Sequence, residues 1–105
     1  MSTPYPIDLH PDVESDYGQA YHWYEMKQKG LGERFLLAVR EELELIKLSP
    51  ELHGFKSRKD FREAIVKDFP YLVVYKVYSK QKRIFISAIH HTSLNPNKKY
   101  RKQDL

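Results

Sequence analysis

The chain has no cysteine. That excludes disulfides, thiolate metal sites and thiol nucleophiles, and it fits a cytoplasmic protein. No run approaches the ~18 apolar residues that a membrane-spanning helix requires. The opening residues, MSTPYPIDLH, carry neither a basic start nor a long apolar stretch, so no signal peptide is expected. Internal repeats and low-complexity segments are also missing. Acidic residues are in the minority, 14 against 18 Lys and Arg, giving a formal charge of +4.

With 105 residues the expectation is a single domain spanning 1–105. A hydrophobic content of 41% with 13% aromatics argues for a folded core despite 30% charged residues. The basic residues bunch late in the chain: Lys56, Arg58 and Lys59; then Lys80, Lys82 and Arg83; then Lys98, Lys99, Arg101 and Lys102. Such bunching suits a polyanion or an acidic protein partner, or simply a solvated surface.

Tyr5 to Leu9 reads as a short edge strand, since Pro4 and Pro6 fit only an edge or a strand start. Pro11 suits the first turn of a helix, and Asp12 and Glu14 complement its dipole. Over residues 12–29 the period is helical, with Val13, Tyr17, Ala20 and Tyr24 on one stripe and Tyr21 and Trp23 beside it. Gly18 lies inside this helix at a cost of about 1 kcal/mol relative to alanine, which a close backbone neighbour would explain. Gly30 ends it. A second helix is expected over 33–48, with Phe35, Val39, Leu43 and Ile46 buried, and Ser49-Pro50 stops it. So short a link makes the two helices an antiparallel hairpin.

After a basic loop over 51–59, part of it extended, three strands are expected at 62–67, 71–78 and 83–91. The middle one is apolar on both faces, with Tyr71, Val73, Tyr75 and Val77 on one and Leu72 and Val74 on the other, as in a covered central strand. In the last, strict alternation groups Ile84, Ile86 and Ala88 against Phe85, Ser87 and Ile89. Beyond Thr92 the chain reads as a polar, basic tail. The expected fold is α+β, ordered β-α-α-β-β-β: an antiparallel sheet with an N-terminal helical hairpin on one face.

Four segments in this order, WYE at 23–25, GLGERF at 30–35, FPYLVVYKV at 69–77 and IFISAIHHTSLNP at 84–96, resemble the RelE/ParE superfamily, the toxins of bacterial type II toxin–antitoxin modules. The resemblance runs from residue 7 to residue 101. It implies a growth-inhibiting, plasmid-stabilising cytoplasmic toxin with no cofactor. Its implied partner is a cognate antitoxin whose disordered part folds over it, forming a hetero-oligomer, alongside a homodimer as the other assembly. Three activities follow from it: a ParE-like inhibitor of DNA gyrase, a RelE-like metal-free endoribonuclease acting on mRNA in the ribosome, or a toxin-like module that only binds.

Metal-free RNA cleavage needs a base for the ribose hydroxyl, an acid for the leaving oxygen and cations for the phosphate. The catalytic candidates are His91, Arg62, Tyr100, Lys67 and His90. Arg58, Lys59, Lys98, Lys99 and Arg101 are candidates for binding RNA or a partner. Adjacent strand residues face opposite ways, so His90 and His91 cannot both serve one site. By strand position His91 aligns with an arginine that RelE-like nucleases use. Those nucleases also carry an arginine where this chain has Leu72, and that departure favours the non-catalytic reading. His10, His22 and His53, the Glu41, Glu42 and Glu44 run, and the Tyr21, Trp23 and Tyr24 group read as surface or core residues.

Overall fold

A computed structural model describes residues 4–94 and 98–102 of the chain. In order it contains β1 (Ile7–Leu9), α1 (Val13–Lys27), α2 (Leu31–Leu48), β2 (Phe55–Lys56), β3 (Phe61–Ile65), β4 (Tyr71–Tyr78) and β5 (Arg83–His91). The five strands form one sheet in the order β1-β5-β4-β3-β2. No described helix is long and apolar enough to cross a membrane. The expected α+β architecture is present, with two differences in the sheet. β1 runs parallel to β5, in register Ile7 to Ile84, so the sheet is mixed. The extended part of the basic loop is β2, a two-residue strand against Glu63 and Arg62.

The helical hairpin closes through two glycines. Gly30 adopts φ +88°, a left-handed conformation that lets α1 end and α2 begin at Leu31. At Gly32 a Cβ would lie 2.8 Å from the Tyr21 carbonyl oxygen, so only glycine allows the helices to approach this closely. The Gly32 N–H, unpaired at the start of α2, donates to Glu25 Oε1 at 2.9 Å. α2 therefore begins two residues earlier than its apolar periodicity suggests.

Both helices pack on one face of the sheet. Phe35 is fully buried at the centre, its ring edge-on to Tyr17, Phe69 and Tyr71 and tilted against Tyr24. Val39 and Ile46 from α2 meet Ala64, Val73, Tyr75, Ile84, Ile86 and Ile89 from the strands. The opposite face buries Phe61, Val74, Phe85 and Ala88, with Leu72, Tyr78 and Tyr100 packed beside them. The expectation that β4 is covered on both sides therefore holds. The second cover comes from the chain's own C-terminal residues.

One irregularity sets the rest of this face. Val74 pairs with Ala88 and Tyr75 with Ile86, so Ser87 is an extra residue on β5, a β-bulge. It reverses the alternation beyond it. Ala88 lies on the face away from the helices and Ile89 on the helix face, the reverse of strict alternation.

Candidate functional site

The sheet face away from the helices gathers three candidates, His90, Lys99 and Tyr100, with the backbone of a fourth, Arg101, at its edge. Glu63 stands at its centre. β3 alternation puts Glu63 on the same side as Phe61, where it is buried. Lys99 Nζ lies 3.0 Å from its Oε1, and the Tyr100 hydroxyl donates to Oε2 at 2.6 Å. Ser57 Oγ sits 2.5 Å from the Tyr100 hydroxyl, and the Tyr100 ring leans on Phe61, centroids 5.3 Å apart. Burial alone would raise the Glu63 pKa. Hydrogen bonds from Ser57, Tyr100 and Lys99, together with the charge of Lys99, outweigh burial and hold the carboxyl below its ordinary value.

The bulge is the second anchor. β1 covers the β5 edge only as far as Ile86, whose carbonyl accepts from the His10 N–H at 2.9 Å. Beyond it the Ser87 carbonyl and the Ile89 N–H would be unpaired. Asp16 on α1 accepts from the Ile89 N–H at 3.0 Å. Arg101 Nη1 donates to the Ser87 carbonyl at 3.0 Å and to Asp16 Oδ2 at 2.8 Å, and Nη2 donates to Asp16 Oδ1 at 3.0 Å. The Ser87 hydroxyl donates to the Lys99 carbonyl and accepts from the Arg101 N–H, each at 2.7 Å. The hydrogen bonds from Arg101 to Asp16 raise its pKa, so it is a fixed cation. Residues 98–102 are thus a strap, pinned at Glu63 and at the bulge.

His90 is buried on this face, paired across the ladder with Leu72. Burial lowers its pKa and the charge of Lys99 acts with it. The Leu94 carbonyl, Asp16 and Glu63 pull the other way without reversing the shift. It is a neutral imidazole at pH 7. His91 lies on the helix face, its ring edge-on to Tyr71 at 5.0 Å and its Nδ1 accepting from the Ser93 N–H at 3.0 Å.

The other catalytic candidates lie elsewhere. Arg62 faces the helix side, opposite Tyr75 in the ladder, and donates to the Gly54 carbonyl. Lys67 is exposed in the β3–β4 turn, in a shallow pocket with Arg34, Leu37, Glu41 and Phe69 beside α2. The candidate set therefore divides: His90, Lys99 and Tyr100 share the face away from the helices, Arg101 reaches round the β5 edge to Asp16 of α1, and Arg62, His91 and Lys67 do not join them. Arg58, Lys59 and Lys98 are exposed, Lys59 on a left-handed backbone with φ 56°. Of the expected basic tail, residues 95–97 and 103–105 lie outside the described residues.

Sequence reasoning missed the residues that organise this face: Glu63, Asp16, Ser57 and Ser87. One signal was available. Glu63 is in phase with Phe61, and a carboxylate on an apolar strand face needs a cationic partner.

The family model described as the ParE toxin of the type II toxin–antitoxin system parDE matches residues 7–96. No curated protein matches the chain by sequence. Among solved structures, one described as the chromosomal ParDE toxin–antitoxin system from P. aeruginosa is similar in fold, with a TM-score of 0.65 and 20% identity. That likeness covers 88% of this chain and 100% of the other. The family match extends from β1 through β5 and beyond it, and the chain belongs to the ParE toxin family of type II toxin–antitoxin systems.

Proposed function

We propose that this toxin arrests growth by binding a host macromolecule, with DNA gyrase the first candidate, and that a cognate antitoxin neutralises it in the cytoplasm. The observation that carries this reading is that the groups a ribonuclease would need are engaged inside the fold. Tyr100 donates to Glu63, Lys99 pairs with the same carboxylate and Arg101 is held on Asp16. Leu72, beside His90, offers no phosphate contact. An acid, a base and free cations within reach of one scissile phosphate are what cleavage requires, and Arg62 and His91 stand on the opposite face.

A target that binds this protein meets exposed cations instead: Lys56, Arg58 and Lys59 on one loop, and Lys98 and Lys102 on the strap. Such a surface speeds association with an acidic partner and favours it at low salt. That property suits the acidic segment of an antitoxin. The test is a supercoiling assay with purified gyrase. Micromolar toxin is expected to inhibit, and stoichiometric antitoxin to restore activity; undiminished supercoiling overturns gyrase as the target. Primer extension on translating ribosomes is expected to show an unchanged pattern, and new toxin-dependent cuts would transfer the assignment to the ribonuclease reading.

A further inference from the structure

α1 carries a second apolar surface that the fold does not use. Trp23 is 58% and Met26 79% exposed, and with Gly18, Gln19, His22 and Lys27 they line an open groove of about 710 Å³ on the outer side of the helix. Lys27 Nζ lies 4.3 Å from the Trp23 ring centroid, at one end of this groove. α2 exposes Leu37, Leu45 and Leu48 as well; what sets α1 apart is the groove that opens beside Gly18.

Gly18 is the informative residue. Gly32 and Gly54 are glycines for a reason inside the chain, since a Cβ at either would lie 2.8 Å or less from a neighbouring atom. A Cβ at Gly18 would meet nothing within 4 Å. The residue is exposed, helical and costs about 1 kcal/mol relative to alanine. The close backbone neighbour that would justify it is not among the described residues.

We propose that the neighbour is α1 of a second copy, crossing antiparallel about a two-fold axis at His22. Gly18 and Met26 are equidistant from His22 along the helix, so this axis seats each Met26 in the notch left by the other Gly18. The charges agree. Glu14 lies in the acidic first turn, and Lys27 and Lys29 lie at the other end. The antiparallel crossing brings each acidic end to the partner's basic end, twice. A parallel crossing would set like on like. The patch is therefore self-complementary, as an isologous interface must be. A helix of 15 residues is about 22 Å long, and a pair buries on the order of 1,000 Å², the low end for a specific interface. The dimer is accordingly concentration-dependent.

Sedimentation equilibrium of the purified full chain tests this. The mass is expected to rise reversibly from 12.6 kDa toward twice that value across the micromolar range. Gly18→Leu is expected to weaken self-association by on the order of tenfold or more while leaving the melting temperature equal or higher. Glu14→Lys should weaken it as well, and adding Lys29→Glu should restore it. Because the chain has no cysteine, His22→Cys provides a clean cross-link across the axis, and a disulfide-linked dimer is expected on mild oxidation. A chain that stays monomeric overturns the proposal and leaves the groove to a helix of a different protein. A dimer indifferent to Gly18→Leu, or unrestored by the charge exchange, overturns it too.

Discussion

Glu63→Gln tests the strap directly. In the native chain Glu63 is 4% and Lys99 9% exposed, so their ion pair is shielded from solvent. The amide keeps the volume and one acceptor for Tyr100, yet leaves the Lys99 ammonium buried without its counter-charge. Breaking one side of a buried pair costs about 3–5 kcal/mol. The retained acceptor puts the expectation at the lower end, about 3 kcal/mol, against a total stability of about 5–15 kcal/mol. At roughly 4–8 °C per kcal/mol for a domain of this size, the melting midpoint falls by roughly 12–24 °C. Replacing both partners with apolar groups removes the uncompensated charge, so Glu63→Leu with Lys99→Met is expected within about 1 kcal/mol of the native chain. The sign of the pH effect follows from the lowered Glu63 pKa. Its contribution is complete above the unfolded value of about 4.3 and is lost as pH falls through the folded value. Urea denaturation at several pH values measures the native chain and both variants. A loss below about 1 kcal/mol for Glu63→Gln, or a double variant as unstable as the single, would refute the reasoning.

Four further outcomes can be checked on the same footing. Gly32→Ala forces a Cβ to 2.7 Å from Glu25 Cγ and 2.8 Å from the Tyr21 carbonyl, and is expected to cost about 2 kcal/mol in urea denaturation; Gly18→Ala, meeting nothing, is expected to gain up to about 1 kcal/mol. Arg101→Ala removes the donors on Asp16 and on the Ser87 carbonyl, costing about 2–3 kcal/mol, with faster hydrogen exchange at the Ile89 amide as the specific sign that the edge has opened. His90 binds its proton more weakly folded than unfolded, so stability should fall as pH drops below about 6.5 toward the folded value, and His90→Asn should flatten that part of the profile.

The helical hairpin was legible because its apolar residues keep a helical period and its glycines mark the reversal. The two-faced β4 was legible because Leu72 and Val74 alternate with Tyr71, Val73 and Tyr75, and the sheet buries both sets. Strand direction was not legible, since an apolar pattern reads alike whether β1 runs with β5 or against it. The bulge was harder still. Alternation counted from Ile84 through Ile86 sends His90 to the helix face; the extra residue, Ser87, sends it to the other. The only sign in the sequence was a serine inside an apolar strand. The strap was hidden by its composition. Lys98 to Lys102 reads as a solvated basic tail, and Lys99 becomes a buried cation only because Glu63 faces it from a strand more than thirty residues earlier in the chain.

These misses share a cause. The bulge at Ser87 lies where β1 stops covering β5, so the groups it leaves unpaired require Asp16 and Arg101. The same serine hydroxyl fixes the strap backbone at Lys99 and Arg101, which carries Lys99 and Tyr100 over to Glu63. A single residue accommodated as a bulge thereby keeps His90 opposite Leu72 on the far face, calls in the C-terminal segment and binds the tail's aromatic and cationic side chains into the fold. Deleting Ser87 should test this. It restores a continuous ladder, leaves His90 opposite Leu72 on the far face and removes the strap's backbone anchor, so hydrogen exchange over residues 98–102 is expected to rise to that of an exposed segment. Protection left unchanged there would show that Glu63 alone holds the strap.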